Sequence, residues 1–296
     1  MPLPVGVRRL IETNVKTSTP RRIDFQGADE LRIVGDAFGD AGAPTVLLLH
    51  GGGQTRHSWH GTARALAHNG WQAISVDLRG HGDSAWAPNG DYRHEAFAGD
   101  ILRIVDTLGQ PPVVVGASLG GLAALTAEGL RPEPVSRALV LVDVGPRIEE
   151  KGAARIVGFM LAQPNGFASL DEAAEAVTAY NPHRPRPKDT SGLRKNLREG
   201  TDGRWRWHWD PAFLSAGRRH DDRQERLDAA ARGLRVPALI VRGRQSDLLS
   251  EDGVRHFLDL VPHARFADVS GAGHMVAGDR NDAFTTAVLD FLGTLV

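Results

Sequence analysis

The 296-residue sequence predicts an α/β fold: about eight strands in a mostly parallel sheet, helices on both faces, and a helical cap inserted after strand 6. Three observations carry this. Short aliphatic runs alternate with amphipathic helical patterns; several of these runs end in glycine-rich or polar loops; and one region of about ninety residues, from Gly145 to Leu234, breaks the alternation. Domain boundaries follow as 1–144 for the first part of the core, 145–235 for the cap and 236–296 for the second part of the core.

Arg22 to Gly27 and Leu31 to Phe38 read as two short strands around Ala28-Asp29-Glu30, a hairpin by spacing. Thr45 to Leu49 is a third strand, ending at the flexible loop His50-Gly51-Gly52-Gly53. Ser58 to Asn69 has helical spacing and stops before Gly70. The strand Gln72 to Val76 runs into Asp77-Leu78-Arg79-Gly80-His81-Gly82-Asp83-Ser84, a loop dense in turn formers. Tyr92 to Leu108 predicts a helix with Ala98, Ile101, Leu102, Val105 and Leu108 on one face. Strand and elbow follow at Val113 to Ser118, then a helix from Leu119, and Ala138 to Val142 is a further buried strand ending at Asp143. Beyond the irregular region, strand Pro237 to Arg242, helix Gly253 to Val261, strand Arg265 to Val269 and helix Ala283 to Leu295 complete the chain. Parallel neighbours joined through helices imply right-handed crossovers.

Composition excludes several classes. A formal charge of −1 provides no field to attract nucleic acid or an anionic membrane surface, so no nucleic-acid partner is expected. With no cysteine, disulfides, thiolate catalysis and cysteine metal sites are absent. No stretch reaches the roughly 18 consecutive apolar residues of a membrane span, and Arg8 and Arg9 precede no apolar signal region, so a cytoplasmic protein is expected. No two histidines show His-x-x-x-His spacing, and neither a metal nor another cofactor is expected. Oligomeric state has no sequence signal.

Candidate chemistry centres on Gly116-Ala117-Ser118-Leu119-Gly120, where three valines run into a Gly-x-Ser-x-Gly turn and then a helix. This arrangement places Ser118 on a sharp strand-to-helix elbow with its hydroxyl exposed. A serine nucleophile needs a base and a carboxylate to orient the base. His274, in Gly271-Ala272-Gly273-His274, is the one histidine after Ser118 in a glycine-rich loop following a strand. Asp247, in Gly243-Arg244-Gln245-Ser246-Asp247, is the expected acid. Asp143 is its competitor and is otherwise expected to support the site or line the pocket. The elbow supplies an oxyanion donor in the N–H of Leu119, and the loop after the third strand supplies a second, assigned to Gly52. His50 is expected to bond within its own loop.

Taken together, His50-Gly51-Gly52, Asp77 to Ser84, Gly116 to Gly121, Asp247 and Gly273-His274 resemble, in order, the motifs of the α/β-hydrolase fold superfamily. The resemblance covers Ile23 to Val296 apart from the insertion, which corresponds to that family's variable cap. It implies a triad of Ser118, Asp247 and His274. Epoxide hydrolases and haloalkane dehalogenases share the Asp-x-x-Gly-His-Gly-x-Ser segment but use an aspartate nucleophile, whereas position 118 is serine.

Specificity is expected to lie in the cap. From Asn181 to Arg219 the chain has ten basic residues against four acidic ones, which reads either as an anion-binding face or as arginines packed over tryptophans. Trp205 and Trp207, with Gly53, Asp143 and Met275, are candidate pocket residues, while Pro182 to Pro187 forms a proline-rich span. The resulting expectation is a cofactor-free serine hydrolase acting through an acyl-enzyme on a small, partly apolar ester or lactone. Alternatives with the same triad are C–C bond hydrolysis and cofactor-free haloperoxidase or perhydrolase chemistry; one from another class is a ligand receptor on the hydrolase fold.

Overall fold

Strands bearing apolar side chains on both faces must be covered on both faces, and the architecture follows from that requirement. The structure is a computed structural model that describes residues 19–182, 189–216 and 222–295. Arg8, Arg9, the proline-rich span after Pro182, and five of the ten basic residues counted from Asn181 to Arg219 (Arg184, Arg186, Lys188, Arg218 and Arg219) lie outside the described residues.

In chain order, β1 (Arg21–Gln26) pairs antiparallel with β2 (Arg32–Phe38), with Arg21 opposite Ala37. Next come β3 (Thr45–Leu49), a 3-10 turn at Arg56–Trp59, α1 (His60–His68) and β4 (Gln72–Val76). After α2 (His94–Leu108), β5 (Val113–Ala117) leads into α3 (Leu119–Gly129) and β6 (Ala138–Val142). The insertion contains α4 (Glu150–Leu161), α5 (Leu170–Tyr180), the two-stranded ribbon β7 (Leu197–Glu199) and β8 (Trp205–Trp207), α6 (Phe213–Ala216) and α7 (Arg223–Arg232). The sheet resumes with β9 (Ala238–Gly243), α8 (Glu251–Leu260) and β10 (Arg265–Val269), and the chain closes with α9 (Val276–Asp279) and α10 (Asn281–Leu292).

The eight-stranded sheet has the order β1-β2-β4-β3-β5-β6-β9-β10. β2 runs antiparallel to both its neighbours, and every pairing from β4 to β10 is parallel. Side chains alternate between two cores. Leu47, Leu49, Val114, Leu139, Leu141 and Ile240 point into one, shared with Phe97, Ile101, Leu125 and Phe257 of α2, α3 and α8. Val46, Leu48, Val115, Val140 and Val241 point into the other, shared with Ala63, Leu66, Phe284 and Val288 of α1 and α10. Each fully buried aliphatic side chain contributes roughly 1.5–3 kcal/mol. No helix among the described residues is long and apolar enough to cross a membrane.

Two expectations change. The helix expected from Ser58 becomes α-helical only at His60, after the 3-10 turn. The insertion is not wholly helical: a tight turn, in which Gly200 N–H donates to Arg204 O at 2.8 Å and Gly203 adopts φ 72°, folds Trp205–Trp207 back on Leu197–Glu199. Alternating tryptophans suit a pleated ribbon better than a helix.

The glycines of the elbow are required by close approach, not by left-handed backbone. A Cβ at Gly120 would meet Leu49 O at 2.5 Å, and one at Gly116 would meet the Gly120 backbone at 2.6 Å. Helix α3 is therefore pressed directly onto β3 and β5. Gly120→Ala should cost about 3 kcal/mol and lower the urea midpoint. Gly158→Ala, within α4 and with open space around the new methyl, should instead raise stability by about 0.5–1 kcal/mol.

Candidate active site

Strand β5 ends at the elbow, and the strain is carried by the serine. Ser118 has φ 46° and ψ −114°, outside the comfortable regions for a side chain bearing Cβ. Its N–H donates to Val142 O at 3.1 Å and its carbonyl accepts from Leu122 N at 3.0 Å, so sheet and helix together hold the conformation. Leu119 opens α3, where the first N–H groups lack intrahelical acceptors and the helix dipole favours negative charge.

The loop after β3 lies against this elbow. A Cβ on Gly51 would lie 3.4 Å from the Ser118 Cβ, and one on Gly52 would lie 4.0 Å from the Leu119 Cβ. The flanking donors of the loop are committed: Gly51 N–H to Gln54 Oε1 at 3.0 Å and Gly53 N–H to His81 Nε2 at 3.1 Å. Between them, the N–H of Gly52 makes no hydrogen bond among the described residues.

Two buried histidines shape that loop, and only one of them was anticipated. His50 donates from Nδ1 to Gly51 O at 2.8 Å and accepts from Leu78 N–H at Nε2 at 3.0 Å, the local bonding expected of it. His81 donates from Nδ1 to Arg79 O at 2.9 Å, which leaves Nε2 as the acceptor for Gly53. Burial lowers both pKa values, to about 4 for His50 and about 3 for His81, so both rings are neutral supports. The glycine-rich Asp77 to Ser84 segment was the available signal for His81, but its partner lies across a loop contact that spacing does not reveal.

His274 sits in the loop after β10, with its Nδ1 2.7 Å from Asp143 Oδ2. Asp143, directly after β6, is fully buried with φ 51°. Its carboxylate accepts from Gly243 N–H at 2.9 Å and from Ser246 Oγ at 2.5 Å, as well as from the imidazole. The ring thus donates from Nδ1 and keeps Nε2 as its second nitrogen. The expected partner, Asp247, is elsewhere: its carboxylate is 39 % exposed and pairs with Arg155 Nη1 at 2.6 Å. The physical reason is the turn after β9, which points Ser246 inward to Asp143 and leaves the next side chain facing out. Asp143 had the stronger positional signal, since it follows the buried strand without an intervening loop.

A cavity of about 500 Å³ is lined by Ser118, His274, Gly52, Gly53, Leu119 and Met275 together with Trp207, Trp209 and apolar side chains of α4. Gly53, Trp207 and Met275, all candidate pocket residues, are among the lining residues. Trp205 is not: it is buried beside Phe167 and Leu197, with the Arg194 guanidinium 4.5 Å above its ring. Asp143 does not line the cavity either, being covered by His274. Trp207 stacks on Trp209 at 5.3 Å, and Trp209 pairs with His81 in an isolated bridge that ties the insertion to the core.

Residues 44–280 match the family model of the alpha/beta hydrolase fold. The chain belongs to this family. Among its relatives, an esterase of Mycobacterium tuberculosis, Rv0045c, is 31% identical over 261 residues, covering 85% of this chain and 84% of that protein. A 2-(acetamidomethylene)succinate hydrolase of Mesorhizobium japonicum is 31% identical over 225 residues, covering 74% and 77%. The crystal structure of E-2-(acetamidomethylene)succinate hydrolase superposes with a TM-score of 0.81 at 23% identity, covering 93% of this chain and 99% of that one, and so shares this hydrolase fold.

The neutral state of the two loop histidines has a consequence for stability. Their pKa values lie below the ordinary 6.5, so the unfolded chain takes up protons first as the pH falls. Their contribution to stability is complete above about pH 6.5 and is lost progressively towards pH 4. Urea midpoints measured from pH 7.5 to 4.5 should fall steadily, with a shallower slope in His81→Gln.

Proposed function

We propose that the protein is a serine hydrolase that cleaves a small, partly apolar ester or lactone through an acyl-enzyme. The observation that carries this reading is the buried Asp143 carboxylate bonded to His274 at the edge of a cavity that also holds the elbow serine. Membership of the family and the esterase relative support a hydrolase more broadly.

In the proposed mechanism His274 Nε2 removes the proton from Ser118 Oγ as the oxygen attacks the substrate carbonyl. Asp143 holds the tautomer that presents Nε2 and stabilises the imidazolium that forms. The N–H groups of Gly52 and Leu119 receive the oxyanion, each donor contributing roughly 3 kcal/mol to the transition state. Collapse expels the alkoxide, which takes the proton from His274. Water, deprotonated by the same nitrogen, then releases the acid. The insertion acts as the cap, and Trp207, Trp209 and Met160 give the acyl or alcohol group an apolar wall. No cofactor enters these steps.

Turnover of short p-nitrophenyl esters should be abolished in Ser118→Ala. Asp143→Asn should lower kcat by about 10³-fold or more, because the amide cannot hold the same tautomer. Asp247→Asn should stay within about twofold of the parent, as expected for an exposed ion pair. Wild-type-like turnover in Asp143→Asn, with loss in Asp247→Asn, would return the acid's role to Asp247.

Arg223 favours a second reading, a substrate that carries a carboxylate. It lines the same cavity, has no ion-pair partner among the described residues, and burial lowers its pKa. A relative named for a succinate derivative fits that chemistry. If so, Arg223→Met should raise KM for a monoester of a dicarboxylic acid about tenfold or more while leaving KM for a neutral ester of the same length unchanged. Equal effects on both would exclude the reading.

A further inference from the structure

Away from Ser118, three side chains of metal-ligating type converge. Asp36 lies on β2, His57 lies on the 3-10 turn Arg56–Trp59, and His60 is the first residue of α1. We propose that these three residues form a binding site for a divalent ion of the zinc type. His57 Nδ1 is 3.2 Å from His60 Nε2, which is 2.9 Å from Asp36 Oδ2; the remaining side of the triangle, His57 Nδ1 to Asp36 Oδ2, is 3.9 Å. Zinc holds nitrogen and oxygen at about 2.0–2.2 Å, so neighbouring corners of its tetrahedron lie roughly 3.3 Å apart. The triangle therefore already has the dimensions of one tetrahedral face, with a fourth position left for water.

Local geometry explains the convergence. The His60 N–H closes the turn on His57 O, and side chains at i and i+3 eclipse in such a turn, so the two imidazoles meet edge to face with centroids 4.7 Å apart. Strand β2 is paired on both sides, and it carries Asp36 as a nearly buried carboxylate, 7% exposed, while the rings remain 22% and 15% exposed and open to an entering ion. His60 Nε2 lies within hydrogen-bond reach of both the Asp36 oxygen and the His57 nitrogen, and a proton on it serves only one of them. A cation would satisfy all three lone pairs together.

The charged neighbour is Arg56. Its Nε lies 3.0 Å from Asp36 Oδ2 but makes no hydrogen bond there, while Nη1 is held by Asp77 at 2.5 Å and Asp83 at 3.1 Å. Asp77 and Asp83 thus keep the guanidinium in place when Asp36 turns to an ion. Two imidazoles and one carboxylate select a borderline transition ion over magnesium, which requires an octahedral oxygen shell. Ser58 and Trp59, between the two histidines, line the same cavity as Ser118, so an ion here would brace one wall of it.

The test is calorimetric titration of chelator-treated protein with zinc, with thermal unfolding followed in parallel. One ion should bind with a Kd on the order of micromolar or tighter, and Tm should rise, since the ion binds only the folded arrangement. His57→Ala and Asp36→Asn should each weaken binding about tenfold or more, with circular dichroism unchanged, while His274→Ala should retain it. Chelator-treated His57→Ala should keep its ester turnover. Absence of saturable binding below about 1 mM, unchanged binding in both ligand variants, loss of binding in His274→Ala, or displacement of zinc by equimolar magnesium would overturn the proposal.

Discussion

A carboxylate with no exposure to solvent must be met by donors, and Asp143 is met by three. Those donors come from the end of β9, from the turn after it and from the loop after β10. One buried charge therefore fixes the relative positions of three strand ends. It also determines which way the turn after β9 faces, because Ser246 cannot reach Asp143 unless Asp247 points outward. The orientation of His274 is a result of this arrangement.

The opposite wall is organised by neutral rings. His50 and His81 are completely buried, and each uses one nitrogen as donor and the other as acceptor. Through these four bonds the loop from Gly51 to Gly53 is tied to the segment Leu78–His81, and the N–H of Gly52 is left over, beside Leu119. Protonation would cost each ring its acceptor, so the low pKa values and the shape of the loop express the same constraint.

The insertion is docked by main-chain and polar contacts as well as by packing. Gly82 N–H donates to His208 O at 2.9 Å, Asp210 N–H to Gly80 O at 2.8 Å, and Tyr92 Oη to Asp210 Oδ2 at 2.5 Å. These bonds join the insertion to the segment that carries His81, so the cavity wall and the glycine loop share a support. Trp205 holds the insertion together, and Trp207, two residues later on the same ribbon, faces the cavity through its stack with Trp209.

By itself the sequence determined the sheet, the elbow at Ser118 and the histidine loop at His274, because these depend on local pattern: aliphatic runs such as Val113–Val115 and Ala138–Val142, the glycines that α3 needs to press against β3, and a turn directly after a strand. What depends on contacts between distant segments was decided only by tertiary structure. Asp143 rather than Asp247 meets His274, since the choice rests on which way one turn faces; His81 braces Gly53 across the chain; and Trp205 and Trp207 divide between insertion core and cavity. His57 and His60 do not have the His-x-x-x-His spacing, which belongs to an α-helix. Here His57 lies on a 3-10 turn that closes through His60, the first residue of α1, so three residues complete the circuit, and Asp36 comes from a strand twenty-one residues before His57. Periodicity encodes each element and its buried face; the partner across a loop is set by how those elements pack, which no single stretch of sequence contains.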